Sequence, residues 1–164
     1  MLAEYTRRFY APALEKAEYL TADGMSKAKA LAKWQAQISK AWKEFSIKDV
    51  VVNVNGDGQN GSLVQVKVGT ELHIRALVRL GKISPDDVSV ELFHGNIDAW
   101  GNIKDGSAVV MRTSKPVVEG SEYWFEGDIR CTSSGRQGIA VRILPKNDDL
   151  VNPYEPGLIL WENN

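Results

Sequence analysis

ELHIRALVRL, residues Glu71–Leu80, decides the fold class. Leu72, Ile74, Ala76, Val78 and Leu80 are apolar, with Glu71, His73, Arg75 and Arg79 between them. Successive side chains of a strand point to opposite faces, so this rhythm describes a strand with one buried face and one wet face. The same period runs through Val50, Val52 and Val54, then Val64, Val66 and Val68, then Val88, Val90 and Leu92. It continues through Tyr123, Phe125 and Ile129, through Ile139, Val141 and Ile143 with Ala140 and Arg142 opposite, and ends with Leu158 and Leu160. Turn-forming residues separate these runs, as in Asn55–Gly61, Gly81–Asp87, Lys115–Ser121 and Pro145–Gly157. Strands with one apolar face each predict antiparallel sheets packed face to face.

Upstream of Ile47 the period changes. Leu31, Trp34, Ile38, Ala41, Trp42 and Phe45 recur at three- and four-residue steps, while Lys33, Gln37, Lys40 and Lys43 turn away. This predicts a helix from about Met25 to Phe45, with Asp23 and Ser26 as alternative N-caps. Leu2, Tyr5 and Phe9 suggest a shorter helix before it, which Pro12 must end or restart. The charge divides at the same place, eight basic against five acidic residues before Ser46 and twelve against sixteen after it. Most alanines precede that point, and all but one of the glycines follow it. The expectation is therefore a mainly β chain with N-terminal helices. Residues 1–46 form a two- or three-helix segment, and residues 47–164 form an antiparallel immunoglobulin-like β-sandwich of seven to nine short strands.

Composition narrows the function. With 164 residues the chain can bury a sizeable core without disulfides or a structural metal. Its single cysteine, Cys131, cannot form an internal bridge, which favours a reducing compartment. Basic and acidic residues number 20 and 21, a balance that argues against a partner read through its phosphates, so no nucleic acid is expected. No apolar run approaches the roughly 20 residues of a membrane span. The N-terminus lacks the apolar stretch of an export signal, so the expected location is cytoplasmic.

Motif by motif, chemistry is not found. Gly56, Gly58 and Gly61 satisfy G-x-G-x-x-G, but a strand pattern and not a helix follows them, and Arg75 and Arg79 stand where an acidic ribose ligand would be needed. Asn53, Asn55 and Asp57 imitate a calcium loop whose first position lacks a carboxylate and whose twelfth is Val64 in place of glutamate, so the stretch reads as a hairpin turn. Asn60-Gly61-Ser62 is formally a glycosylation acceptor without a secretory signal. His73 and His94 have no cysteine or carboxylate at metal-ligand spacing and read as surface or rim residues. Cys131 reads as a small apolar core residue, since nothing in sequence supplies a base beside it. Asp86-Asp87 and Asp148-Asp149 read as solvated turn caps.

The aromatics allow one functional reading. Trp124 falls on the polar face of its strand, and an exposed indole on a sheet can stack on a sugar ring; Trp124 and Trp100 are the candidates. The competing reading is that the N-terminal helices, with Trp34 and Trp42, cover that face.

Three stretches together carry a family resemblance. Glu4-Tyr5-Thr6-Arg7-Arg8-Phe9-Tyr10-Ala11-Pro12-Ala13 is similar to the end of the catalytic region of bacterial α-glucan (glycogen or maltodextrin) phosphorylases of the kind with an extra N-terminal domain. Gly138-Ile139-Ala140-Val141-Arg142-Ile143-Leu144-Pro145, followed by Leu150, Pro153, Glu155, Gly157, Leu158 and Trp161, resembles their extreme C-terminus, and Pro85–Leu92 resembles the segment between. The resemblance implies an accessory, non-catalytic piece of a longer enzyme with a two-lobed glycosyltransferase fold. That parent transfers glucosyl units from α-1,4-glucan to orthophosphate, releases glucose 1-phosphate and holds pyridoxal phosphate on a lysine. The lysine motif of the Gly-Thr-Ser-x-x-Lys kind is absent here, so no catalytic, cofactor-binding or metal residue can be assigned in this chain. The implied partners are the remainder of the phosphorylase chain and α-glucan. Tyr5, Phe9, Trp34 and Trp42 should then include aromatics left partly exposed. The rival reading is a stand-alone carbohydrate- or partner-binding sandwich.

Overall fold

The structure is a computed structural model that describes residues 11–54, 57–59, 63–64, 68–118, 121–131 and 136–162. The first described element is helix α1 (Ala11–Ala41). It is two arms, because Ala22 is extended and Asp23, Gly24 and Met25 follow in the left-handed region at φ 51°, 66° and 63°. The first arm ends where the Thr21 hydroxyl donates to the Ala17 carbonyl at 2.8 Å, and Lys29 closes the break by donating to the Gly24 carbonyl at 3.1 Å. The second arm thus starts where the sequence places it. It stops four residues earlier than expected, at Ala41, and a 3₁₀ turn over Trp42–Glu44 takes over. The helix expected through Leu2, Tyr5 and Phe9 lies outside the described residues.

Leu31, Ile38 and Phe45 are buried, each two turns from the last, so one stripe of the second arm and its following turn faces inward. Trp34, Ala41 and Trp42 pack at the margin of the same core. Trp34 donates its indole N–H to the Asp87 carboxylate at 2.8 Å, and the rings of Trp42 and Phe45 lie 4.8 Å apart.

Among the described residues ten strands follow: β1 (Ser46–Val54), β2 (Asp57–Gln59), β3 (Leu63–Val64), β4 (Glu71–Arg79), β5 (Val88–Ile97), β6 (Ile103–Val110), β7 (Arg112–Val118), β8 (Glu122–Arg130), β9 (Gln137–Pro145) and β10 (Leu160–Trp161). The first sheet has the order β2-β1-β4-β8-β7 and the second β10-β9-β5-β6, with β3 also on β9; the recorded pairings are antiparallel. Val54 pairs with Asp57, so β1 and β2 form an antiparallel hairpin; the rest of the glycine-rich stretch lies outside the described residues. At Met111, whose side chain is buried, the chain crosses from the second sheet to the first, and the backbone N–H there donates to the Val90 carbonyl at 2.8 Å.

Both sheets face one core. Leu72, Ile74, Ala76 and Val78 of β4 meet Val90, Leu92, Val141 and Ile143 of β5 and β9, with Phe125 between. These are the apolar positions of the period-two pattern, and each apart from the small Ala76 would bring about 1.5–3 kcal/mol by leaving water. No helix among the described residues is long and apolar enough to cross a membrane.

Candidate functional site

Outer faces of the two sheets differ. On the first, β4 and β8 align His73 with Asp128, Arg75 with Glu126 and Leu77 with Trp124. His73 Nδ1 lies 2.7 Å from Asp128 Oδ1, and Arg75 Nε donates to Glu126 Oε1 at 3.0 Å. These are exposed cross-strand pairs, which contribute little stability but fix the side chains that flank Trp124. The Arg75 guanidinium lies 4.6 Å from the Trp124 ring centroid. The indole is half-buried, and a cation of its own sheet occupies the face a sugar would need.

Trp100 is placed elsewhere, in the β5–β6 hairpin of the second sheet, and is 85% exposed. Its backbone is rigidly held: Asp98 Oδ1 accepts from the N–H groups of Trp100 and Asn102, each at 2.9 Å. Those amide donors, Asn102 first, hold the Asp98 carboxyl below its ordinary value. The two candidate indoles thus stand on different sheets and form no shared platform.

The second sheet's outer face carries a cluster that sequence reading missed. Arg142, expected opposite Ile143 on a polar face, is only 9% exposed. The reason is that residues 146–162 fold back as a strap over that face. Asn147 and Asn152 each accept from amides two residues on, Asp149 and Tyr154, at 2.9 Å, which turns the strap twice. It closes with Glu162 accepting from the Val141 N–H at 2.8 Å while its own N–H donates to the Val141 carbonyl at 2.9 Å. Arg142 then donates to Glu91 from Nε and to Tyr154 Oη from Nη2, at 2.8 and 3.1 Å. Phe93, Tyr154 and Trp161 surround the guanidinium at 5.0, 5.8 and 5.4 Å from their centroids. Phe93 lies flat because Gly106 leaves it room; a Cβ there would sit 2.7 Å from Phe93 Cε1. The signal that could have exposed this cluster was Tyr154 and Trp161 following a strand whose outward residue is arginine.

Between the strap and the start of β5 runs an open groove of about 620 Å³, with Val88, Glu91, Met111, Lys146, Val151 and Pro153 on its walls. At the other end, His94 and Cys131 line one cavity of about 20 Å³, room for a single water. Burial holds His94 below its ordinary value and pushes the Cys131 thiol up. Both shifts favour the neutral forms, the opposite of a thiolate–imidazolium pair. Among the described residues no three His, Cys, Asp or Glu side chains gather as a metal site. Nor do the residues fit pyridoxal phosphate. The lysines whose side chains the structure describes are exposed apart from Lys16 and Lys27, which face the Tyr19 ring at 5.1 and 3.2 Å and not an enclosed cavity.

Comparison with known proteins finds a family and several relatives. A family model described as the glycogen phosphorylase C-terminal domain matches residues 42–163. A maltodextrin phosphorylase of Thermococcus litoralis is 26% identical over 166 residues, covering 99% of this chain and 18% of that protein. A glycogen phosphorylase of Mycobacterium tuberculosis is 28% identical over 159 residues, covering 97% of this chain and 18% of its own length, and one of Mycobacterium bovis is 27% identical with the same coverage. The chain spans under a fifth of the length of these curated relatives.

Proposed function

The chain belongs to the glycogen phosphorylase C-terminal domain family, and from that premise we propose that it is the C-terminal accessory region of an α-glucan phosphorylase and carries no catalysis of its own. The observation that carries this reading is the coverage, 97–99% of this chain against 18% of each relative. The parent would transfer glucosyl units from α-1,4-glucan to orthophosphate with pyridoxal phosphate supplied by its catalytic body, and it would work in the cytoplasm. Residues 47–164 are read as an immunoglobulin-like sandwich, supported by two antiparallel sheets around one core. Residues 1–46 are read as the joint to the catalytic body. Half-burial of Trp34 and Trp42 accords with a helix that still has surface to offer.

A reading frame upstream of Met1 encoding several hundred residues with a Gly-Thr-Ser-x-x-Lys motif is the expected finding. A stop codon in frame immediately upstream would overturn the reading. The second reading, a stand-alone carbohydrate- or partner-binding sandwich, draws on the 85% exposure of Trp100. It would be favoured by maltoheptaose binding to a chain with no enzyme attached.

A further inference from the structure

The first arm of α1 is poorly supported by the other described residues. From Ala11 to Thr21 only Lys16 and Leu20 are half-buried among the described side chains, while Leu14 is 64% exposed. Three turns of helix without a buried face are marginal in water, because helix stability in proteins comes from packing an apolar stripe. The second arm differs, since Leu31 and Ile38 enter the core of the sheets.

What lies beside the first arm is the C-terminal strap. Lys16 Nζ donates to the Asp148 carbonyl at 3.1 Å and stands 3.5 Å from Asp149 Oδ1. Tyr19 shares a depression of about 500 Å³ with Asp148 and Asp149. Beneath, the strap is pinned where Arg142 donates to the Tyr154 hydroxyl, yet Val151 and Ile159 stay exposed, Val151 to 70%. Apolar side chains held out from a rigid segment mark an interaction surface more than a frayed end.

We propose that the first arm of α1 and the strap over residues 146–162 form one docking surface, and that its occupant is the catalytic body of the same polypeptide. The proposal rests on the accessory-region reading above. The choice of occupant follows from coverage. The domain model begins at residue 42, so the first arm lies outside it, while the relatives align through the arm and continue for most of their length elsewhere. The arm is therefore the stretch that leads toward the body. The strap comes from the opposite end of the sequence and is joined to the arm by Lys16. A body meeting the arm meets the strap as well.

Hydrogen exchange on the 164-residue chain and on the full-length polypeptide tests this. Amides 11–21 and 148–159 should exchange roughly tenfold or more slowly in the full-length protein, and Val151→Asp should remove that protection in both segments while leaving the exchange of β4 and β9 unchanged. Slowing confined to the arm, with active phosphorolysis, would overturn the shared surface and leave the accessory reading standing. Slowing of both segments in the isolated chain that grows with its concentration would give the surface to a second copy and overturn the proposal. A full-length protein without phosphorolysis would bring down both.

Discussion

Arg142 and Glu91 face each other across the β9–β5 register, with the guanidinium Nη2 2.7 Å from Glu91 Oε2 and both side chains about nine-tenths buried. Neither residue lies in the core between the sheets. They are buried because the chain returns over them, and Trp161 stands next to Arg142 in the same cross-strand row.

Removing one partner should leave the other charged and uncompensated. Glu91→Ala is expected to lower unfolding stability by about 3–5 kcal/mol, whereas Arg142→Met combined with Glu91→Leu should recover most of that loss. Urea unfolding of the two variants and the unsubstituted chain checks it. A double variant as weak as the single one would show that the pair itself, and not the orphaned charge, sets the stability.

Gly106 provides the floor on which Phe93 lies. Gly106→Ala should push the ring off its position and cost about 1–3 kcal/mol by overpacking, and the Phe93–Trp161 edge contact at 5.6 Å should be lost. Near-ultraviolet circular dichroism and urea midpoints report both effects; an unchanged midpoint would contradict the close packing.

His94 links stability to pH. Burial holds its folded pKa below the ordinary 6.5, so between the two values the unfolded chain binds the extra proton. Stability should therefore fall as pH drops from 6.5 toward the lowered folded value and gain no further loss from this group below it. His94→Gln should flatten that part of the profile relative to the parent chain. Equal slopes in both would remove His94 as the cause.

Among the tryptophans, only Trp100 has its indole largely in water. Any fluorescence response to maltoheptaose, as the second reading requires, should survive Trp124→Ala and vanish in Trp100→Ala, since Arg75 lies over the Trp124 ring. Loss of the response in Trp124→Ala alone would show that Arg75 gives way to the sugar.

Much of the fold was legible because single-residue rules sufficed. The alternation in Glu71–Leu80 places Leu72, Ile74, Ala76 and Val78 inside without reference to any other segment, and each is fully buried. The seven-residue spacing of Leu31, Ile38 and Phe45 did the same for the helix. Arg142 was misplaced for the complementary reason. An arginine alternating with Val141 and Ile143 reads as solvated until a remote segment covers it, and the strap has almost no regular structure to announce itself. Trp124 was placed correctly on the outward face, but its neighbour Arg75 came from register, which a single strand does not encode. The shared cavity of His94 and Cys131 likewise depends on which strands meet.

The most direct test of the account is the release of glucose 1-phosphate from maltoheptaose and orthophosphate, with pyridoxal phosphate added. The 164-residue chain alone should release none, while the same chain continuous with its catalytic body should release it. Release by the isolated chain would contradict the account, as would a catalytic body encoded with this chain that shows no phosphorolysis.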